Sequence, residues 1–167
     1  GGDDRLVKLA ALAALARNGA ATPAMLGQIG IPVGEMPTGA LADWLVVLDR
    51  TPGLANAAAQ KAEAERILRT RITYEGTRLD LSDIGNAPWW MMTSGDEMAI
   101  RATLATLGRP GWQDEAPRMM AGVALRQRRG HWDTTPSNAW GAVVSRKFGQ
   151  VYPAGAIAGT TVARLGA

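Results

Sequence analysis

Apolar residues recur at three- and four-residue spacing over most of the chain, the pattern of helices that each bury a stripe. From Leu6 to Arg17 the pattern is denser. Leu6, Val7, Leu9, Leu12 and Leu15, with Ala between them, leave almost no polar face, so the spacing predicts a helix buried all round. Asp3 and Asp4 stand where they can cap that helix and oppose its dipole, and Asn18-Gly19 ends it. Thr22-Pro23 opens a short helix to about Ile29. Gly30 to Pro37 holds two Gly and two Pro and reads as a loop. Thr38 is placed to cap a third helix, to about Arg50, with Leu41, Trp44, Leu45 and Leu48 inward. After the turn Thr51-Pro52-Gly53, the stretch Leu54 to Arg71 is rich in Ala, Glu, Gln and Arg, all strong helix formers.

The period then changes. Ile72, Tyr74, Leu79 and Leu81 alternate around Glu75-Gly76, which predicts a small β-hairpin. Asp83 to Thr93 is irregular and contains Pro88-Trp89-Trp90-Met91-Met92. Ser94 and Glu97 form an S-x-x-E capping box opening a helix to about Leu107, and Gly108, Pro110 and Gly111 break it. Asp114 starts the next helix, with Ala116, Met119, Met120, Val123, Ala124 and Gln127 as its buried stripe and Gly130 as its left-handed end. Trp132 falls in the turn, where a large ring should plug the end of a helix pair. Thr135 is expected to cap the last helix, with Pro136 behind it and Trp140, Val143, Val144 and Phe148 on one side. The Gly-, Ala- and Val-rich residues 149–167 read as an extended exit segment. The sum is an all-α domain over residues 1–148, of about seven helices in hairpin-like pairs plus one small hairpin, with no linker to divide it.

Composition narrows the function classes. At 167 residues the chain can bury a sizeable core, and 47% hydrophobic against 20% charged residues marks a globular protein. With a net charge of only +3 and basic residues spread along the chain, the high pI alone does not imply nucleic acid, and none is expected as a partner. No apolar run is long enough to insert into a bilayer. The absence of Cys excludes disulfides and thiol chemistry within these residues. Opening on Gly-Gly without Met, the chain reads as a piece of something longer.

Candidate chemistry is sparse. His131 is the only His, and with Asp133 it is too little for a metal site. A catalytic His needs a nucleophile and an orienting partner, and a lone His in a turn is more often an exposed loop residue. Gly30 to Gly39 lacks the G-K-[S/T] of a phosphate loop. Arg126, Arg128 and Arg129 suit the negative end of a helix dipole and need no anion to explain them. Among Asp80, Asp83, Asp96 and Glu97 no acid–base couple stands out. No cofactor is implied. Trp89, Trp90, Met91 and Met92 read equally as an inter-domain contact or as a lid folded over the core.

Three stretches in order carry a resemblance. Tyr74-Glu75-Gly76-Thr77-Arg78-Leu79, then Trp89 to Asp96, then Arg126 to Thr135 with Asn138-Ala139-Trp140, resemble the helical thioester-domain region of bacterial α2-macroglobulin-like proteins. The resemblance covers roughly residues 71–148, and residues 1–70 match only as Ala- and Leu-rich helices. Gln127-x-x-Gly130-x-Trp132 also resembles the structural Gln–Trp motif of terpene-cyclase-like α/α barrels. The resemblance implies an α/α toroid, complete or partial, in which Gln127, Gly130, Trp132, Thr135 and Trp140 are structural. It implies a large periplasmic or surface-anchored parent that traps target proteases when a bait region is cut. The partners are then neighbouring domains of the same chain and, through the parent, the protease. The family's Cys-x-Glu-Gln thioester element is absent, so no reactive role passes to any residue here. The chain is thus expected to be non-enzymatic. The competing reading, an α/α-barrel enzyme fragment of cyclase or glycosidase type, needs an acidic cluster at one barrel end.

Overall fold

The computed structural model describes residues 3–153. Among them are seven α-helices, α1 Asp4–Arg17, α2 Pro23–Leu26, α3 Thr38–Arg50, α4 Ala57–Thr70, α5 Gly95–Thr106, α6 Glu115–Leu125 and α7 Thr135–Val151. The antiparallel hairpin of β1 Ile72–Glu75 and β2 Arg78–Leu81 lies between α4 and α5, with Ile72 facing Leu81 and Glu75 facing Arg78 across Gly76-Thr77. The protein is therefore mostly helical with one small sheet, as the periodicity predicts.

The helices form two layers. Alternate helices α1, α3, α5 and α7 pack in a row, while α4 lies against α3 and α6 against α5. Cross-contacts give the directions. Asp43 pairs with Arg101 and Asp49 with Arg109, so α3 and α5 run parallel. Ser94 meets Ser137, and Lys147 reaches the Leu104 carbonyl, so α5 and α7 are parallel too. The outer helices run the other way. Arg71, just past α4, reaches Thr38 at the start of α3, and Lys61 pairs with Asp49 near its end. Arg126, just past α6, reaches Asp96 at the start of α5, and Thr106 contacts Met119. Between the layers lies one apolar core, with Leu9, Leu41, Leu45, Leu68, Ile100, Trp112 and Val144 fully enclosed. Trp112 is sealed by its indole N–H, which donates to Glu65 Oε2 at 3.0 Å, and by the Arg69 guanidinium stacked 3.9 Å from its ring.

Several local expectations are corrected. α1 is not buried all round: Leu9, Leu12, Ala13 and Ala16 are, but Val7 and Leu15 are exposed, because only α3 packs closely along it. Thr38 does not cap α3. Pro37 holds the cap position, and Thr38 is the first helical residue. The Asp83 carboxylate, 45 residues away, accepts from Thr38 N–H at 3.1 Å and from Thr38 Oγ1 at 2.7 Å. A carboxylate there satisfies an orphan donor and opposes the positive end of the helix. Only half of the Ser94–Glu97 box forms: Ser94 Oγ accepts from Glu97 N–H, while the Glu97 side chain turns to Arg101. α7 continues to Val151, so residues 149–151 are helical rather than extended, and the exit segment from 154 onward lies outside the described residues.

Candidate functional site

The corner between α6 and α7 is built around Trp132. α6 ends at Leu125, and Arg126 is its cap. Gly130 is therefore not the helix end. It is the second central residue of a tight turn in which Arg128 and His131 exchange backbone hydrogen bonds and Arg129 and Gly130 have φ of 55° and 84°. Two successive positive φ values define a mirror-image turn, which glycine allows at low cost. Gln127, read as the last member of the buried stripe, is exposed and outside the helix, and Ala124 is exposed as well.

Trp132 follows the turn and drops between the helices, 7% exposed. Its indole N–H donates to the Val123 carbonyl at 2.9 Å, and its backbone N–H to Asn138 Oδ1 at 3.1 Å. Asn138 Nδ2 in turn donates to the Trp132 carbonyl at 3.0 Å and to the Thr134 carbonyl at 2.7 Å. The ring lies flush on Gly141, where a Cβ would stand 2.1 Å from Trp132 Cζ3. The cap of α7 is Thr134, whose Oγ1 accepts from Ser137 N–H at 3.2 Å, whereas Thr135 is the exposed first helical residue. Of the five residues expected to share a structural motif, Trp132 and Gly130 meet at the corner. Gln127 and Thr135 face solvent. Trp140 sits one turn along α7, with the Arg17 and Arg101 guanidinium groups 5.1 and 5.7 Å from its ring centre. The polar side chain that holds the Trp132 backbone is Asn138, and Gln127 does not reach it.

A cleft of about 630 Å³ opens beside this corner, walled by the hairpin, the start of α5 and the 126–133 turn. Arg126 spans its floor. Its Nε donates to Asp96 Oδ1 at 2.7 Å and its Nη1 to Asp80 Oδ2 at 3.0 Å. The second Asp96 oxygen accepts from Asp133 N–H at 3.2 Å, and Asp133 Oδ1 accepts from Ser94 Oγ and Ser137 Oγ, each at 2.9 Å. Every carboxylate on the wall, Asp80, Asp96 and Asp133, is thus held by an internal donor. His131 is exposed, and its Nδ1–H donates to the Trp132 carbonyl at 2.8 Å rather than to Asp133. Arg126 neutralises Asp80 and Asp96, and His131 bonds to neither Asp133 nor a serine, so no His-oriented nucleophile is assembled on this wall. What the arrangement does is tie hairpin, α5, α6 and α7 through one guanidinium. The residues that do this were not singled out by spacing, since Asp80 and Asp96 lie 46 and 30 residues from Arg126.

The Trp89–Met92 segment is part covered and part exposed. Trp89–Met91 is a single 3₁₀ turn, and Met92 leaves it with φ of 56°. Trp90 and Met91 are half-buried, and Met91 with Pro88 borders a crevice against Leu6, Pro37 and Ala40. Trp89 and Met92 are each 81% exposed. Asp83 holds the start of this loop to α3, with Arg71 Nη1 also within 3.4 Å of its carboxylate.

Comparison with known proteins adds no neighbour: no protein-family model, no curated protein and no solved structure matches this chain.

Proposed function

We propose that this chain is an architectural helical domain of a bacterial α2-macroglobulin-like protease trap, and that its helices are a sector of an α/α toroid. In such a toroid, inner helices run parallel and each is followed by an antiparallel outer helix. The parallel row of α3, α5 and α7, with α4 and α6 antiparallel outside it, supports that reading. The ordered resemblance over residues 71–148 supplies the family, and a periplasmic or surface-exposed parent follows from it. No helix among the described residues is long and apolar enough to cross a membrane.

The observation that carries the architectural role is the pair Trp89 and Met92. Large apolar side chains are presented at 81% exposure on a turn whose other two residues are anchored. Exposed aromatic and Met side chains beside a fixed backbone suit a contact with a neighbouring domain. The clamped carboxylates of the Arg126 cleft favour structure over catalysis. Without Cys the chain has no means of forming a thioester. The test is to mix the chain with equimolar trypsin, elastase and subtilisin and assay each enzyme on a large protein substrate. Full protease activity, no protease-linked band on a denaturing gel and no methylamine incorporation are expected. Inhibition or a linked band would place trapping chemistry in these residues and end the architectural reading.

A further inference from the structure

The concave side of the helix row is a second cleft, of about 530 Å³, to which α1, α3, α5 and α7 all contribute. That volume is in the range of small-ligand sites, roughly 300–1,000 Å³. One wall is apolar, formed by Val46, Leu104, Trp140 and Val143. Val143 is 47% exposed, although its spacing on α7 predicts burial, and it is into this cleft that its exposed surface looks.

The rest of the lining, apart from Ala42, Ala105 and the single carboxylate Asp49, is cationic: Arg17, Arg50, Arg101, Arg109 and Lys147. Arg17 and Arg101 share Asp43, and Arg101 also reaches Glu97. Arg109 is held by Asp49 and Glu65. Among the described residues, Arg50 and Lys147 have no carboxylate partner. The only hydrogen bond of the Lys147 Nζ is a long one, 3.4 Å, to the Leu104 carbonyl. Burial pushes the Lys147 ammonium below its ordinary pKa, Arg109 and Arg50 push it the same way, and Asp49, already paired with Lys61 and Arg109, opposes them only in part. Helix ends account for part of this. Arg50 closes the last turn of α3, and Arg109 donates to the Ala105 carbonyl near the end of α5. They do not account for an ammonium kept half-buried beside an apolar wall, where the nearest cations outnumber the one carboxylate, Asp49, that Lys61 and Arg109 already hold.

We propose that this cleft binds a small organic oxyanion, a carboxylate or phosphate monoester carrying a flat apolar body. The oxyanion would sit between Lys147 and Arg50, and the body would lie on Trp140 and Val143. The anion would supply the charge that both cations lack and relieve the repulsion at Lys147. The assignment rests on this face alone and stands whether or not the parent is a protease trap.

The experiment is an NMR titration of the intact chain, following the Trp140 indole N–H and the Val143 methyls. The probes are phenyl phosphate, benzoate, inorganic phosphate and phenol. Phenyl phosphate and benzoate should shift both sets of signals with saturation, inorganic phosphate should bind more weakly, and phenol should not saturate. Lys147→Gln and Arg50→Gln should each weaken phenyl phosphate binding about tenfold, the loss of one charge-assisted hydrogen bond. Arg50→Gln should lower the melting temperature only slightly, by the loss of an exposed charge at a helix end, and Lys147→Gln should raise it, because a half-buried ammonium beside Arg50 and Arg109 is removed. No saturable shift with either charged probe would overturn the proposal, as would equal binding of phenol or unchanged affinity in both variants. A Lys147→Gln variant that melts earlier yet binds normally would show a helix-capping lysine instead. An Asp- and Glu-rich peptide that saturates the same signals at lower concentration than phenyl phosphate would replace the small ligand with a protein partner.

Discussion

Two turns in this molecule place a tryptophan just ahead of a long helix, and they treat it in opposite ways. Trp132, before α7, is 7% exposed, while Trp89, before α5, is 81% exposed. Neither residue type nor position relative to the helix explains the difference. Trp132 enters a space shaped for it: Gly141 leaves room for the ring, and the Val123 carbonyl accepts the indole N–H. At the other turn it is the neighbours of Trp89, Pro88 and Met91, that take the crevice against α1 and α3. A turn tryptophan becomes a corner plug when the facing helix supplies both a missing side chain and an acceptor. Otherwise it remains on the surface.

The largest effect should come from removing the plug. Trp132→Ala takes away a buried ring and one of the two donors to the Val123 carbonyl, so a loss of about 3–5 kcal/mol is expected in chemical denaturation. His131→Ala, one residue earlier, alters an exposed side chain and should stay within about 0.5 kcal/mol. Equal, small losses at both positions would remove the distinction between the two turns. The second effect tests the facing glycine. Gly141→Ala puts a methyl group where the ring lies, and because both Trp132 N–H groups are bonded the ring has little room to retreat. A loss of about 1–3 kcal/mol is expected, the cost of overpacking. In a Trp132→Ala background the same change should cost almost nothing, since the methyl then enters the vacated space. Additive losses in that double-mutant cycle would mean that the ring and Gly141 do not compete for one site.

How much of this was legible in the sequence depended on distance along the chain. Helices, hairpin and the Ser94 cap follow from patterns within a few residues, and they stand where spacing predicts them. Trp132 as a plug is legible as bulk at the corner of two strongly periodic helices, although Trp89 shows that bulk in a turn does not by itself secure a hole. The capping of α7 was misplaced by one residue, since Thr134 and Thr135 both suit the role and only geometry separates them. The cap of α3 was out of reach, because its donor-acceptor pair spans 45 residues. The same holds for Arg126: a basic residue at a helix end has a sufficient local explanation, which hides its two carboxylates. Val143 fits the buried stripe by periodicity and misses burial because the concave face of the row is open there. Local order is written in spacing, whereas clamps and clefts depend on which distant elements become neighbours.

The smallest expected effect is the most telling for the exposed turn. Trp89→Ser combined with Met92→Ser removes two large apolar side chains that bury little within this chain. Met92 has φ of 56°, a conformation that β-branched residues resist, so serine is the better replacement than threonine or valine. If the pair contributes nothing to its own fold, the double variant should unfold within about 0.5 kcal/mol of the unaltered chain. Its backbone anchors are untouched, because Asp83 still holds Thr38 and Met91 still fills the crevice. Binding of a dye that reports exposed apolar surface should fall, as the side chains it would contact are gone. A loss comparable to that of Trp132→Ala would mean that the turn folds back onto its own core in solution. In that case Trp89 and Trp132 would be two instances of one device, and the surface offered to a neighbouring domain would not exist.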